Sequence, residues 1–119
     1  MIRRILRVAG LIPFLLFGSY YSSSLTITTS GTPVPLSNAV PALPANCLSV
    51  GVFWNANNSG TAIYLGGSNV SAATKLGAVI SSSFPSAYFA PTSNPTNILA
   101  TIYADAATSG DKVTVTCTR

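Results

Sequence analysis

From residue 25 onward the chain runs in short stretches of alternating apolar and polar residues, each closed by Gly, Asn, Ser or Pro. Leu25-Thr26-Ile27-Thr28-Thr29 has the period of two that suits a half-buried strand. Residues 32–36 contain Pro33 and Pro35, each without the N–H a ladder needs, so this run can lie beside the first strand only as an edge. Residues 37–46 hold Pro41 and Pro44 and read as an ordered extended loop, the longest connection of the body. Residues 47–54 form the best central strand, with Leu48, Val50, Val52 and Trp54 on one face and Cys47, Ser49, Gly51 and Phe53 on the other. The Asn-rich stretch at 55–60 is a turn, because Asn and Gly tolerate positive φ. Residues 61–65 are then expected to return as its hairpin partner, ended by Gly66-Gly67-Ser68-Asn69.

Leu76, Ala78 and Ile80 mark a further strand, and residues 86–89 a short one. Ile98, Ala100, Ile102 and Ala104 alternate with Leu99, Thr101 and Tyr103. After a turn at 107–111, the last strand at 112–118 puts Val113, Val115 and Cys117 on one face. Helical periodicity is absent beyond a single turn at 71–76. About seven short strands at this spacing predict an all-β fold, a small antiparallel β-sandwich with a small barrel as the alternative.

The first 24 residues break this pattern. Residues 1–7 are basic, residues 8–17 are an apolar run, and residues 19–24 are small and polar apart from Tyr20 and Tyr21. That is the layout of a secretory signal, although no Ala-x-Ala site follows and Pro13 interrupts the run. Crossing a bilayer core takes ~20 apolar residues, more than the run supplies even when counted to Tyr21. Ile2, Ile5, Leu6 and Ala9 share a helical spacing, so the segment reads as helical or extended. Two roles stand beside each other: a membrane anchor through residues 1–21, or a peg buried in a partner protein. The peg is favoured because the run is short, and Ile2, Ile5, Leu6, Leu11, Ile12, Phe14, Leu15, Leu16 and Phe17 would form it. The chain therefore divides into an anchoring segment, 1–24, and a β-sandwich domain, 25–119.

Composition narrows the function. The chain has no His and no Glu, and its acids are Asp105 and Asp111. Proton shuttling and metal ligation draw on residue types that are missing, so no catalytic residue, cofactor site or metal site is expected. Asp105 and Asp111 flank the last loop and could take a cation only with help from several carbonyls or waters. The formal charge of +4 suggests a nucleic-acid partner until Arg3, Arg4 and Arg7 are placed in the leader. The body then retains Lys75, Lys112 and Arg119 against the two acids, with no basic patch to track phosphates. So weakly charged a surface resists self-association poorly, which favours a protein covered by neighbouring subunits.

Cys47 and Cys117 would pair in an exported protein, closing a long loop worth ~4 kcal/mol. Strand phase argues against this. Cys117 is in phase with Val113 and Val115, whereas Cys47 is out of phase with Leu48, Val50 and Val52, so two unpaired thiols are favoured unless the strand starts at Leu48 or a bulge intervenes. Trp54, Tyr64, Tyr88, Phe89 and Tyr103 offer an aromatic platform for sugars or single-stranded nucleic acid, but core and interface packing is the preferred reading. Asn57-Asn58-Ser59 and Asn69-Val70-Ser71 match the acceptor pattern for N-glycosylation, in a chain where such triplets arise easily.

The stretch from Cys47-Leu48-Ser49-Val50 through Ile63-Tyr64-Leu65-Gly66-Gly67-Ser68-Asn69-Val70-Ser71, closing with Gly110-Asp111-Lys112-Val113-Thr114-Val115, resembles small β-sandwich virion proteins of tailed bacteriophages. The likeness spans roughly residues 26–118 and carries over no site residue. It implies a structural role in a particle, as a head decoration, cement or fibre-associated component, with other virion proteins and further copies of the chain as partners. The Arg-rich apolar leader departs from the simplest such proteins and keeps an exported or membrane-anchored binding module as the alternative.

Overall fold

The computed structural model describes residues 19–90 and 97–119. The described residues form eight strands: β1 (Tyr20–Thr26), β2 (Val34–Pro35), β3 (Ser49–Trp54), β4 (Ile63–Gly66), β5 (Ala78–Ile80), β6 (Ser86–Phe89), β7 (Tyr103–Ala106) and β8 (Lys112–Thr118). One sheet runs β1-β8-β3-β6 and the other β2-β7-β4-β5, with every pair antiparallel. The expected all-β, two-sheet sandwich is what the chain adopts.

The core lies where the alternation put it except at Leu48 and Leu76, which precede β3 and β5 and are exposed. Leu25, Val50, Val52, Val113 and Val115 project from the first sheet and Ile63, Leu65, Ile80, Ala104 and Ala106 from the second, all fully or almost fully buried. Each Val, Leu or Ile among them contributes about 1.5–3 kcal/mol when fully buried, which explains why the hydrophobic period dictates which face of each strand points inward. Leu36 and Leu99 close the same core.

Several boundaries and pairings differ from the expectation. β1 begins at Tyr20, so the division after residue 24 falls inside a strand. The serines that looked like a polar exit are its residues: Ser22 and Ser24 face solvent, while Ser23 and Leu25 are buried. Tyr20 and Tyr21 likewise belong to the sandwich, not to an anchor reaching residue 21. Thr28 and Thr29 lie beyond the strand. The proline-bearing run does make an edge, but in the other sheet, where Val34 pairs with Ala104 and Pro35 with Tyr103.

The expected hairpin between residues 47–54 and 61–65 does not form. β3 and β4 sit in different sheets, because their apolar faces meet across the core and the 55–60 turn carries the chain from one layer to the other. The final alternation also resolves differently. Ile98–Thr101 is one helical turn, here α1, and the strand starts at Tyr103. An alternating strand would bury Ala100 and expose Leu99, whereas the turn buries Leu99 and Ile102 and leaves Ala100 outside. A single turn spans too few residues for a 3.6-residue period to be read against a period of two.

Cys47 and Cys117 are bonded, with Cα atoms 5.4 Å apart. The preference for unpaired thiols is therefore overturned. β3 begins at Ser49, so Cys47 precedes the strand and its side chain is free of the strand's alternation. Cys117 lies opposite Val50 on the inward face, and both cysteines are fully buried.

Candidate functional site

The two acids come first, because they are the acidic groups from which chemistry could be built. Asp105 sits on β7 with its side chain on the outer face of the second sheet, yet it is fully buried. One carboxylate oxygen accepts the Gly31 N–H at 2.9 Å and the other the Ala72 N–H at 2.8 Å. Asp111 does the same for the interlayer turn, accepting the Ser59 N–H at 3.0 Å and the Gly60 N–H at 2.9 Å on separate oxygens. Both carboxylates are thus occupied as clips for backbone donors, a use that makes each the centre of a loop. Among the described residues no group of three His, Cys, Asp or Glu side chains comes together.

The loop that Asp105 holds covers its own small core. Val70 packs with Ala62 and Tyr64, and Ala72 and Tyr103 flank them. Gly77, at φ +118°, lets the loop return under Val70 and close to the Leu65 carbonyl. The outer face of the second sheet is therefore roofed over Tyr64 and Tyr103, while Val79 of β5 stays exposed at its edge.

The five aromatics proposed as one platform lie on three different surfaces. Trp54 and Phe89 pack against the main core, and Tyr64 and Tyr103 belong under the roof. Tyr88 stands alone on the outer face of the first sheet, 71% exposed. The anchor residues Ile2, Ile5, Leu6, Leu11, Ile12, Phe14, Leu15, Leu16 and Phe17 lie outside the described residues.

Tyr88 has neighbours the sequence did not single out. On the outer face, Thr118, Thr116 and Thr114 of β8 lie opposite Tyr20, Ser22 and Ser24 of β1 and opposite Ser49, Gly51 and Phe53 of β3. Tyr88 is the partner of Gly51 across β6, and its ring meets Phe53 edge-on, with centroids 5.6 Å apart and planes at 86°. Phe53 leans over Gly51: a Cβ there would come within 2.8 Å of the Phe53 ring and closer still to the Thr116 hydroxyl. The Gly51 N–H donates to that hydroxyl at 3.1 Å. The result is an aromatic corner, with Phe53 as floor and Tyr88 as wall, on a sheet face otherwise made of hydroxyls. Phe53 was legible as a candidate, since it is the one aromatic of β3 out of phase with buried Val50 and Val52.

A second concavity of about 440 Å³ opens beside the edge of β1, lined by Leu25, Thr26, Thr28, Val34, Asn38 and Val40 among others. Ser24 and Val40 close one end by exchanging backbone hydrogen bonds of 3.0 and 2.9 Å. Its lining includes no titratable side chain, so it offers hydrogen bonds and apolar contact rather than acid-base work. Among the described residues no helix is long and apolar enough to cross a membrane. No protein-family model, curated protein or solved structure matches this chain.

Proposed function

We propose that the chain is a non-enzymatic structural protein of a bacteriophage particle, decorating or cementing the capsid or tail surface through contacts with other virion proteins and with further copies of itself. The observation that carries this reading is the character of the exposed surface. With both acids buried, Lys75, Lys112 and Arg119 are the exposed charged side chains of the described residues. Val40, Leu48, Leu76, Val79 and Phe84 are exposed alongside them, the last at 72%. Leu76, Val79 and Phe84 follow one another along the β5 edge and the loop after it, where an unpaired strand edge also offers backbone donors and acceptors. Apolar side chains with so little charge around them suit a face covered by neighbours.

The deciding experiment is incorporation. A chain lacking residues 1–18 keeps β1 whole and should fold, but it should be missing from purified particles if the leader is a peg. Particles that take up the truncated protein as well as the full chain would remove the peg from this account, and absence of the full-length chain from particles would end the virion reading.

One observation favours the second reading, an exported or membrane-anchored binding module: the Cys47–Cys117 bridge, a bond typical of oxidising compartments. Intact mass of the native protein separates the two. A chain cut ahead of β1, within residues 1–19, points to export, and a full-length chain points to assembly with its leader in place.

A further inference from the structure

We propose that the outer face of the β1-β8-β3-β6 sheet binds neutral oligosaccharides, with the Phe53–Tyr88 corner as the place where a sugar ring stacks. This goes beyond the particle reading and does not rest on it, since the face would serve a virion component and an exported module alike.

The chemistry of the face selects the ligand class. Sugar rings present an apolar C–H face and a rim of hydroxyls that both donate and accept. The corner supplies the complementary surface: Tyr88 stands free and the Phe53 ring lies at right angles to it. Beside the corner, Ser22, Ser24, Thr114 and Thr118 supply hydroxyls of the same dual capacity, in register on adjacent strands. Tyr20, 68% exposed, stands at the opposite edge of the same face, three strand spacings or about 14 Å across the sheet from the β6 strand. An oligosaccharide of several rings fits between two such aromatics better than a single sugar does.

Charge excludes the obvious competitors. Lys112, opposite Thr26 at the far end, is the only ionisable group on the rows of this face apart from the tyrosines. A nucleic acid or an acidic glycan would need more cations than that. A protein partner is the competitor that charge does not remove, and it is separated by whether Tyr88 is covered in the native assembly. Gly51 keeps the floor level, since a side chain there would displace the Phe53 ring.

Titration calorimetry of the full chain against maltohexaose, cellohexaose and chitohexaose, with polygalacturonate as the acidic control, tests this. At least one neutral hexasaccharide should bind, and Tyr88→Ala should weaken that binding about tenfold, the loss expected of one stacking contact. Tyr20→Ala should weaken it less, and Lys112→Ala not at all. The exposed position of Tyr88 means its variant should keep the fold, checked by an intact Cys47–Cys117 bridge and an unchanged circular dichroism spectrum. Failure of all three hexasaccharides at about 10 mM, binding indifferent to Tyr88→Ala, or preference for polygalacturonate would each overturn the proposal. So would protection of Tyr88 from nitration by a neighbouring protein in the native assembly. The particle reading survives any of these results, because it is tested by incorporation.

Discussion

The two sheets of this sandwich treat their outer faces in opposite ways. On the second sheet, the 67–77 loop folds back over Tyr64 and Tyr103, Gly77 lets it return, and Asp105 holds it down through the Ala72 N–H. On the first sheet no described residue is folded over the corresponding surface, and Tyr20, Ser22, Ser24 and Tyr88 face outward. The same strand grammar thus yields one face closed by its own chain and one left for something else.

That contrast can be broken at either face. The largest effect should come from beneath the open sheet, where the Cys47–Cys117 bridge ties the chain before β3 to the inward side of β8. Replacing both cysteines by Ser should lower stability by about 4 kcal/mol, read from urea unfolding, because the loop they close is long. Asp105→Ala should come next, at about 3 kcal/mol, since it removes the charged acceptor of both the Gly31 and the Ala72 N–H groups. Its distinguishing sign is local: amide exchange at 70–72 should rise before the core opens, turning the closed face into an open one. Gly77→Ala should cost about 2 kcal/mol in the same unfolding assay, because its positive φ and its approach to the Leu65 carbonyl both resist a side chain. The smallest change belongs to the open face. Tyr88→Ala should shift stability by about 0.5 kcal/mol, the edge-on contact with Phe53 being its main loss. A cost as large as that of Asp105→Ala would mean that Tyr88 is structural and that the two faces are less different than they look.

How much of this was legible in the chain depends on the range of the interaction. The last strand was read with its inward Val113, Val115 and Cys117, and the central strand with Val50 and Val52, because a period of two is a local signal that burial reinforces. The single turn at Ile98–Thr101 was missed because four residues cannot display a helical period. The start of β1 was missed because serines on a solvent-facing row look like a leader's exit when the partner strand is out of sight. Tyr20 was hidden by the same error. Phe53 could have been found, and the alternating Thr114, Thr116 and Thr118 gave a further hint of a hydroxyl-rich face.

The sequence by itself determined an all-β sandwich, the inward residues of its main strands, and a chain without His or Glu whose acids are two in number. These are properties of neighbouring positions and of composition, and they survive any arrangement of the strands. Only the tertiary structure decided that β3 and β4 belong to different sheets, that the cysteines meet, that both acids are occupied by backbone donors, and that among the described residues one sheet face stays uncovered. Each of those outcomes joins residues far apart in the chain, whose meeting depends on how the layers pack and not on the pattern of either segment alone.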